Sequence, residues 1–366
     1  MQLLYLLGVP VVIALLNLLI FNKKVNFVEA GLQILVICGL MAGLAFGCSA
    51  EKKHDTEILN GHVTSKQRNE VHCRHSYPCH CYTYNCGTSK SPMTCTHCDT
   101  CYEHSFDVDW DVYATCGMYQ ESFSVETLDA QGLQEPPRWT AFKPGDPFME
   151  DHGYDNYVKA NADTIYKTHG YQDKYAKFIP GYPSNIYDYH THLDRMIMVG
   201  TSLPDLQAWN DALTALNCDI GPKKQCNIMM LVTSGQPEEY YYAIKEAWIG
   251  GKKNDIIVMI DVAPDGHINW TNTLSWAKDD LVRVKLRDDI LAINKMDRAA
   301  ILAVIHDDVK GHFIRKRMRE FKYLDKAIIL TDSEFIWMLV TAILLSIAAS
   351  VFIDVNDING GSHYNY

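Results

Sequence analysis

The sequence predicts an α+β chain with membrane-spanning helices, a small cysteine-rich head that is mainly β, and an α/β domain built on a mixed sheet. Three observations predict it. Apolar runs at residues 1–21, 30–48 and 335–353 are each close to the roughly 20 residues that a helix needs to cross a bilayer core. Eight of the twelve cysteines fall between His72 and Cys116. From Leu193 onwards, strand-like and helix-like segments alternate.

The length of 366 residues accommodates two soluble domains besides the apolar runs, and the formal net charge of −11 argues against a nucleic-acid partner. The first run is followed, not preceded, by Lys23 and Lys24, which suits a hairpin anchor over residues 1–48 with a cytoplasmic loop better than a cleaved signal. The second run ends in LAFGC, which resembles a lipoprotein box. Phe46 and the tandem runs fit that box poorly, so Cys48 reads as an ordinary residue at the membrane edge. The seven Lys/Arg between Lys310 and Lys326 point the soluble part towards the cytoplasm. Its ten cysteines, an even number, point to an oxidising compartment instead. A long translocated domain is largely indifferent to its charges. The expectation is therefore a bacterial inner-membrane protein, with the lipid bilayer as one partner and its soluble part in the periplasm.

Residues 49–71 are polar and read as a linker. The head at 72–190 follows, too poor in apolar residues around its cysteines to hold together without cross-links. Cys73, Cys79, Cys81, Cys86, Cys95, Cys98, Cys101 and Cys116 fit two readings: up to four disulfides, or zinc knuckles to which His72, His75, His80, His97 and His104 add nitrogen ligands. Disulfides rank first and structural zinc second. Redox catalysis ranks behind both, because no thioredoxin-like βαβ pattern surrounds the Cys-x-x-Cys pairs. Residues 105–115 alternate with period two and place Asp107, Asp109 and Asp111 on one strand face, where they are solvated or, less expectedly, hold calcium. Short strands are predicted at 123–128 and 138–142, and a Tyr-, Pro- and Gly-rich loop at 171–189.

Residues 191–326 form the α/β domain. Strands are predicted at 195–199, 227–233 and 255–262, with a hairpin through Pro264-Asp265-Gly266 into 267–272. Helices are predicted from a capping box at 202–205, over 237–248, over 279–293 and over 298–321, the last leading towards the third run at 335–353. Cys218 and Cys226 flank a short loop between helix and strand and suggest a further disulfide. No P-loop, GxGxxG, GxSxG or HExxH appears.

The segments LPDLQAWNDALTALN, CNIMMLVT and AIKEAWIGGKKNDIIVMIDV, followed by the Pro-Asp-Gly hairpin, resemble the TPM domain family over residues 193–321. The resemblance implies an extracytoplasmic α/β domain with a membrane span just after it. Phosphatase activity and metal binding belong to some members. This chain departs from the family at two places: it has Asn254-Asp255-Ile256 where Asp-Asn-Gly is usual, and NWTNTLSW where a GYGLE-like segment follows the hairpin. On the resemblance, Asp255, Asp279 and Asp280 are the nearest carboxylates for a cation, although Asp279 and Asp280 also suit the first turn of a helix. The segments DTEILNGHVTSK, HSYPCHC, CDTCYEHSFDVDWDVY, EPPRWTA, NYVKA and FIRKRMREFKYL resemble membrane proteins of tailed bacteriophages, which implies a host envelope. The expected function is protein interaction with another envelope or phage protein, without catalysis. The alternative is a metal-dependent, phosphatase-like hydrolase.

Overall fold

The computed structural model describes residues 2–20, 27–117, 119–161, 165–166, 170–328 and 330–356. Lys23 and Lys24, on which the expected cytoplasmic loop rests, lie outside the described residues. The three apolar runs become helices α1 (Gln2–Ile20), α2 (Phe27–Lys53) and, closing the chain, α9 (Asp332–Asn356). All three are long and apolar enough to cross a membrane, which is compatible with membrane association.

The chain divides into two compact units. The first takes the described residues of 1–56, 153–169 and 317–366. In it, Ile37 and Met41 of α2 pack with Ala342 of α9. Gln33 donates to the Ser346 carbonyl at 2.9 Å and to Ser350 Oγ at 3.1 Å, a polar tie within the apolar stretches of the two helices. Lys52 pairs with Glu334, and Lys53 with Asp325. Asp55 accepts from Tyr154 Oη at 3.0 Å and from Asn156 Nδ2 at 2.8 Å.

The second unit, residues 57–152 and 170–316, holds both the cysteine-rich head and the α/β domain. The expected linker at 49–71 is not a linker. Its first residues complete α2, and the rest is a long strand, β1 (His54–Val71), in which Ile58, Leu59 and Val63 are buried. The polar composition misleads because Glu57 and Asn60 are buried as well, each with partners. Glu57 is held by Arg315, by Lys253 at 2.8 Å and by His152 at 3.1 Å.

The ribbon strands β2 (Ser76–Asn85) and β3 (Thr94–Tyr102) follow, then β4 (Asp107–Cys116) and β5 (Tyr119–Val125). A short helix, α3 (Pro137–Ala141), replaces the strand expected at 138–142, because Pro136-Pro137 opens a helical turn. It sets Trp139 edge-on to Trp110, ring centroids 4.7 Å apart. After β6 (Pro147–Asp155) the head sheet is complete in the order β5-β4-β1-β6. The alternation expected in β4 holds: Val108, Trp110, Val112, Ala114 and Cys116 all point into the core.

The loop region 171–189 opens with one α-helical turn, α4 (Tyr171–Lys174), and a 3₁₀ turn at Ala176–Phe178. The α/β domain then runs β7 (Met196–Val199), α5 (Leu206–Lys224), β8 (Asn227–Thr233), α6 (Tyr240–Ala247), β9 (Asp255–Val262), β10 (Ile268–Ser275), α7 (Leu281–Ile293) and α8 (Arg298–His312). Its sheet has the order β10-β9-β8-β7, with β7, β8 and β9 parallel and β10 antiparallel, a mixed sheet as expected. α5, α7 and α8 bury Trp209, Leu213, Leu286, Ile305 and Val309 on one face, while α6 buries Tyr240 and Ile244 on the other. Both faces are covered, so β8 and β9 are buried along their whole length and apolar in their middle stretches.

Three boundaries differ from expectation. The capping box at 202–205 is not made; Asp205 stands at the N-cap without capping the helix, its carboxylate pairing with Arg298 instead. The loop expected between Cys218 and Cys226 is helical as far as Lys224 and turns at Gln225, whose φ is 51°. The helix expected over 298–321 stops at His312, where Phe313 turns into the core and Arg315 bridges to Ala277.

Gly61 marks the tightest approach in the head sheet. A Cβ there would lie 1.7 Å from the Thr115 carbonyl oxygen, next to the β1–β4 register shift between Val63 and Ser65. Gly61→Ala must open the ladder, so it is expected to destabilise the second unit by about 3 kcal/mol or more, beyond ordinary overpacking. Denaturant unfolding of the detergent-solubilised protein followed by tryptophan fluorescence measures this. An unchanged midpoint would contradict the register.

Candidate functional site

The ribbon β2–β3 has no apolar core. Nearly every residue in its strands is exposed, and only Cys79, Cys95, Cys98 and Cys101 are partly buried. Three nested disulfides, Cys79–Cys101, Cys81–Cys98 and Cys86–Cys95, take the place of a core. A register shift between Cys79 and Tyr82, with His80 at φ 45°, lets Cys79 and Cys81 both reach across. Cross-links of this kind each stabilise by about 2–4 kcal/mol, mainly by restricting the unfolded chain. Tyr77, Tyr82, Tyr84 and Tyr102 stand exposed along the ribbon. Tyr82 lies opposite His97, rings 5.4 Å apart, and beside Tyr84 at 6.2 Å.

Cys73 and Cys116 do not join the disulfides, which corrects the expectation that all eight cysteines of the head are cross-linked. Cys116 is buried on the core face of β4 with its thiol towards the Leu59 carbonyl, and burial pushes it up to about 12. The Cys218–Cys226 bridge is not formed either. Cys218 sits on helix α5 and faces the Gly145 carbonyl, whereas Cys226 is sealed in the core, its thiol also pushed up to about 12 by burial. Such thiols are inert.

Cys73 lies in a different setting, where the ribbon leaves the head sheet. Residues 72–75 join β1 to β2, and residues 103–106 join β3 to β4. These two connections and the first residue of β4 gather Cys73, His75, His104 and Asp107, with one ligand atom from each within 4.8 Å of the others. Cys73 Sγ is 3.6 Å from His104 Nδ1, which is 3.3 Å from Asp107 Oδ1; His75 Nδ1 is 3.5 Å from Asp107 Oδ2. The Arg74 backbone N–H donates to Asp107 at 2.8 Å and holds its carboxyl below the usual range, helped by Cys73 and His104. A second group, Cys79, His80 and Cys101, has no free thiolate to offer because its two cysteines are bonded to each other.

The remaining carboxylates are engaged one by one. Asp109 pairs with the Arg74 guanidinium, and Asp111 accepts from Asn69 and Ser124. Asp107, Asp109 and Asp111 therefore form no shared calcium cage on β4. Asp279 caps α7 through Leu281 N at 3.0 Å, and Asp280 pairs with Arg283. Asp255 is fully buried and accepts from Tyr182 Oη at 2.7 Å, Lys252 N at 2.7 Å and Asn227 Nδ2 at 3.0 Å. Among the described residues these three aspartates do not converge. Sequence reading missed Arg195, which is fully buried and donates to Asn227, Asn60 and the Met149 sulfur. Burial lowers its guanidinium to about 10.

No family model matches this chain, and no curated protein or solved structure matches it.

Two outcomes follow from this chemistry. Alkylation of the unfolded, unreduced chain is expected to label Cys38, Cys48, Cys73, Cys116, Cys218 and Cys226, and prior reduction to add the six ribbon cysteines. Peptide mapping that finds Cys79, Cys81 or Cys86 labelled without reduction would refute the ribbon pairing. The second outcome concerns pH. Burial raises Asp255 to about 6, above the unfolded value of about 3.9, so the folded state binds the extra proton and stability falls as pH rises between the two. The loss is of the order of 3 kcal/mol and complete above the folded value. The stability difference between wild type and Asp255→Asn should therefore shift towards the variant from pH 4 to 7. A difference that stays flat would mean that Asp255 is not desolvated.

Proposed function

We propose that this protein is a membrane-anchored envelope component that presents its cross-linked ribbon to a protein partner, on a TPM-like body at residues 193–321. The observation that carries the reading is the row of exposed tyrosines on a ribbon locked by three disulfides. Tyrosine supplies large contact area with little conformational freedom to lose, and it is enriched at interfaces. A cross-linked scaffold lowers the ordering cost of binding further. The TPM-like body rests on the segments quoted above, and the partner class, another envelope or phage protein, on the resemblance to phage membrane proteins.

Disulfides belong to oxidising compartments. The reading accordingly puts residues 57–316 on the periplasmic side of a bacterial host inner membrane, with α1, α2 and α9 in the bilayer. Asp255 is fully buried and held by three hydrogen bonds, and among the described residues no group of candidate ligands includes it, so the hydrolase alternative gains nothing from the geometry.

A photocrosslinking amino acid at Tyr82 or Tyr84 is expected to trap one discrete partner in host cells expressing the protein. The same group at Tyr242, exposed on α6, should trap none. Crosslinks from Tyr242 but not from the ribbon would sink the assignment of the binding surface. Placement is checked separately: an alkaline phosphatase fused after residue 130 should be active, and activity confined to cytoplasmic reporters would refute it.

A further inference from the structure

We propose that Cys73, His75, His104 and Asp107 form a zinc site that clamps the two legs of the ribbon where they leave the head sheet. Tetrahedral zinc with Zn–S about 2.3 Å and Zn–N or Zn–O about 2.05 Å sets its ligands about 3.6 Å apart for sulfur to nitrogen and about 3.3 Å for nitrogen to oxygen. The Cys73–His104 separation is 3.6 Å and the His104–Asp107 separation 3.3 Å, with His75 to Asp107 at 3.5 Å. Three ligand separations thus lie near those of a tetrahedral shell, the two to Asp107 through its two different oxygens, and one ligand atom of each of the four side chains lies within 4.8 Å of the others.

The donor set fits the ion in charge as well as in size. One thiolate and one carboxylate neutralise Zn²⁺, and two neutral imidazoles complete the shell. The assembled site therefore carries no net charge, which suits a place where Cys73 is only 2 % exposed and Asp107 5 %. Binding replaces the Cys73 S–H bond with an S–Zn bond and releases that proton to solvent. The Arg74 backbone N–H on Asp107 orients the carboxylate from outside the shell. The placement of the ligands is also informative. Two come from the connection into β2, one from the connection out of β3 and one, Asp107, from the start of β4, so one ion ties both legs of a ribbon that has no apolar seat to the head sheet. Four protein ligands make a closed, structural site rather than a catalytic one. The inference is independent of which side of a membrane the soluble part occupies.

Cobalt substitution tests it on the full chain in detergent, stripped with a chelator and kept free of reductant so that the ribbon disulfides persist. One Co²⁺ per chain should bind, with a thiolate-to-cobalt charge-transfer band and the intense d–d absorption of tetrahedral cobalt, and zinc should displace it. Cys73→Ser should abolish the charge-transfer band, whereas Cys116→Ser should leave it unchanged. His75 is the most exposed ligand, so His75→Ala serves as the variant least able to disturb folding. It should keep the thiolate band while weakening binding by more than ~10-fold, the lower bound for outer-shell changes. Absence of the charge-transfer band in wild type would overturn the proposal. So would its survival in Cys73→Ser, or cobalt affinity unaltered by both His75→Ala and His104→Ala.

Discussion

The second unit depends on one buried cation. Arg195, just before β7, reaches Asn60 on β1 of the head sheet and Asn227 on β8 of the α/β sheet, and Asn227 passes the link on to Asp255 on β9. Asn60 also donates to the Cys226 carbonyl and faces Asn217 of α5. Burying a guanidinium without a directly bonded carboxylate is costly, and it is tolerable only when most of its donors are taken up. Here amide oxygens and a thioether do so, while Nε has no protein partner. Removing Asn60 or Asn227 would leave a charge stranded between two sheets. That is why the head and the α/β domain belong to one compact unit despite their different composition.

Glu57 is the anionic counterpart. It is buried on β1 and held by Arg315, Lys253 and His152, which come from the end of the α/β domain, the approach to β9 and the head strand β6. The two centres sit three residues apart along β1, one cationic and one anionic, each recruiting partners distant in sequence. β1 is therefore the strand on which both sheets are referenced, although its composition is that of a linker.

This explains what could and could not be read from the sequence. The apolar runs, the alternation in β4 and the apolar strands β8 and β9 were legible because burial there follows hydrophobicity. β1 was not, since its buried residues include Glu57 and Asn60, whose partners are far away in sequence. α3 was misread because a helix of five residues has no period to detect, only the Pro136-Pro137 start. Cysteine spacing allowed for disulfides and metal alike. What separated Cys73 from its neighbours was a register shift at His80 and two short connections, neither of which has a compositional signature. The candidate ligands were all visible as residue types, but His75 and His104 were scattered among other histidines. Asp107 was grouped with Asp109 and Asp111 by strand periodicity, whereas the fold turns it towards Cys73.

The ribbon poses the opposite problem to the body. Inside the ribbon, three cross-links suppress the unfolded alternatives, but none of them acts on its direction relative to the head sheet. That direction is set over two connections of four residues each, where Glu103 N donates to the His75 carbonyl at 3.0 Å and His72 packs against Tyr102, rings 4.4 Å apart. Arg74, between them, adds its backbone N–H to Asp107 and its guanidinium to Asp109 of β4; these are short-range restraints on a 27-residue lever. A rigid lever on a loose pivot gains little from its rigidity, because the entropy saved within the ribbon is lost again at the base when a partner binds. Polar groups drawn together at the pivot are a further means by which this chain can hold its ribbon in one direction. Cys73, His75, His104 and Asp107 occupy that position.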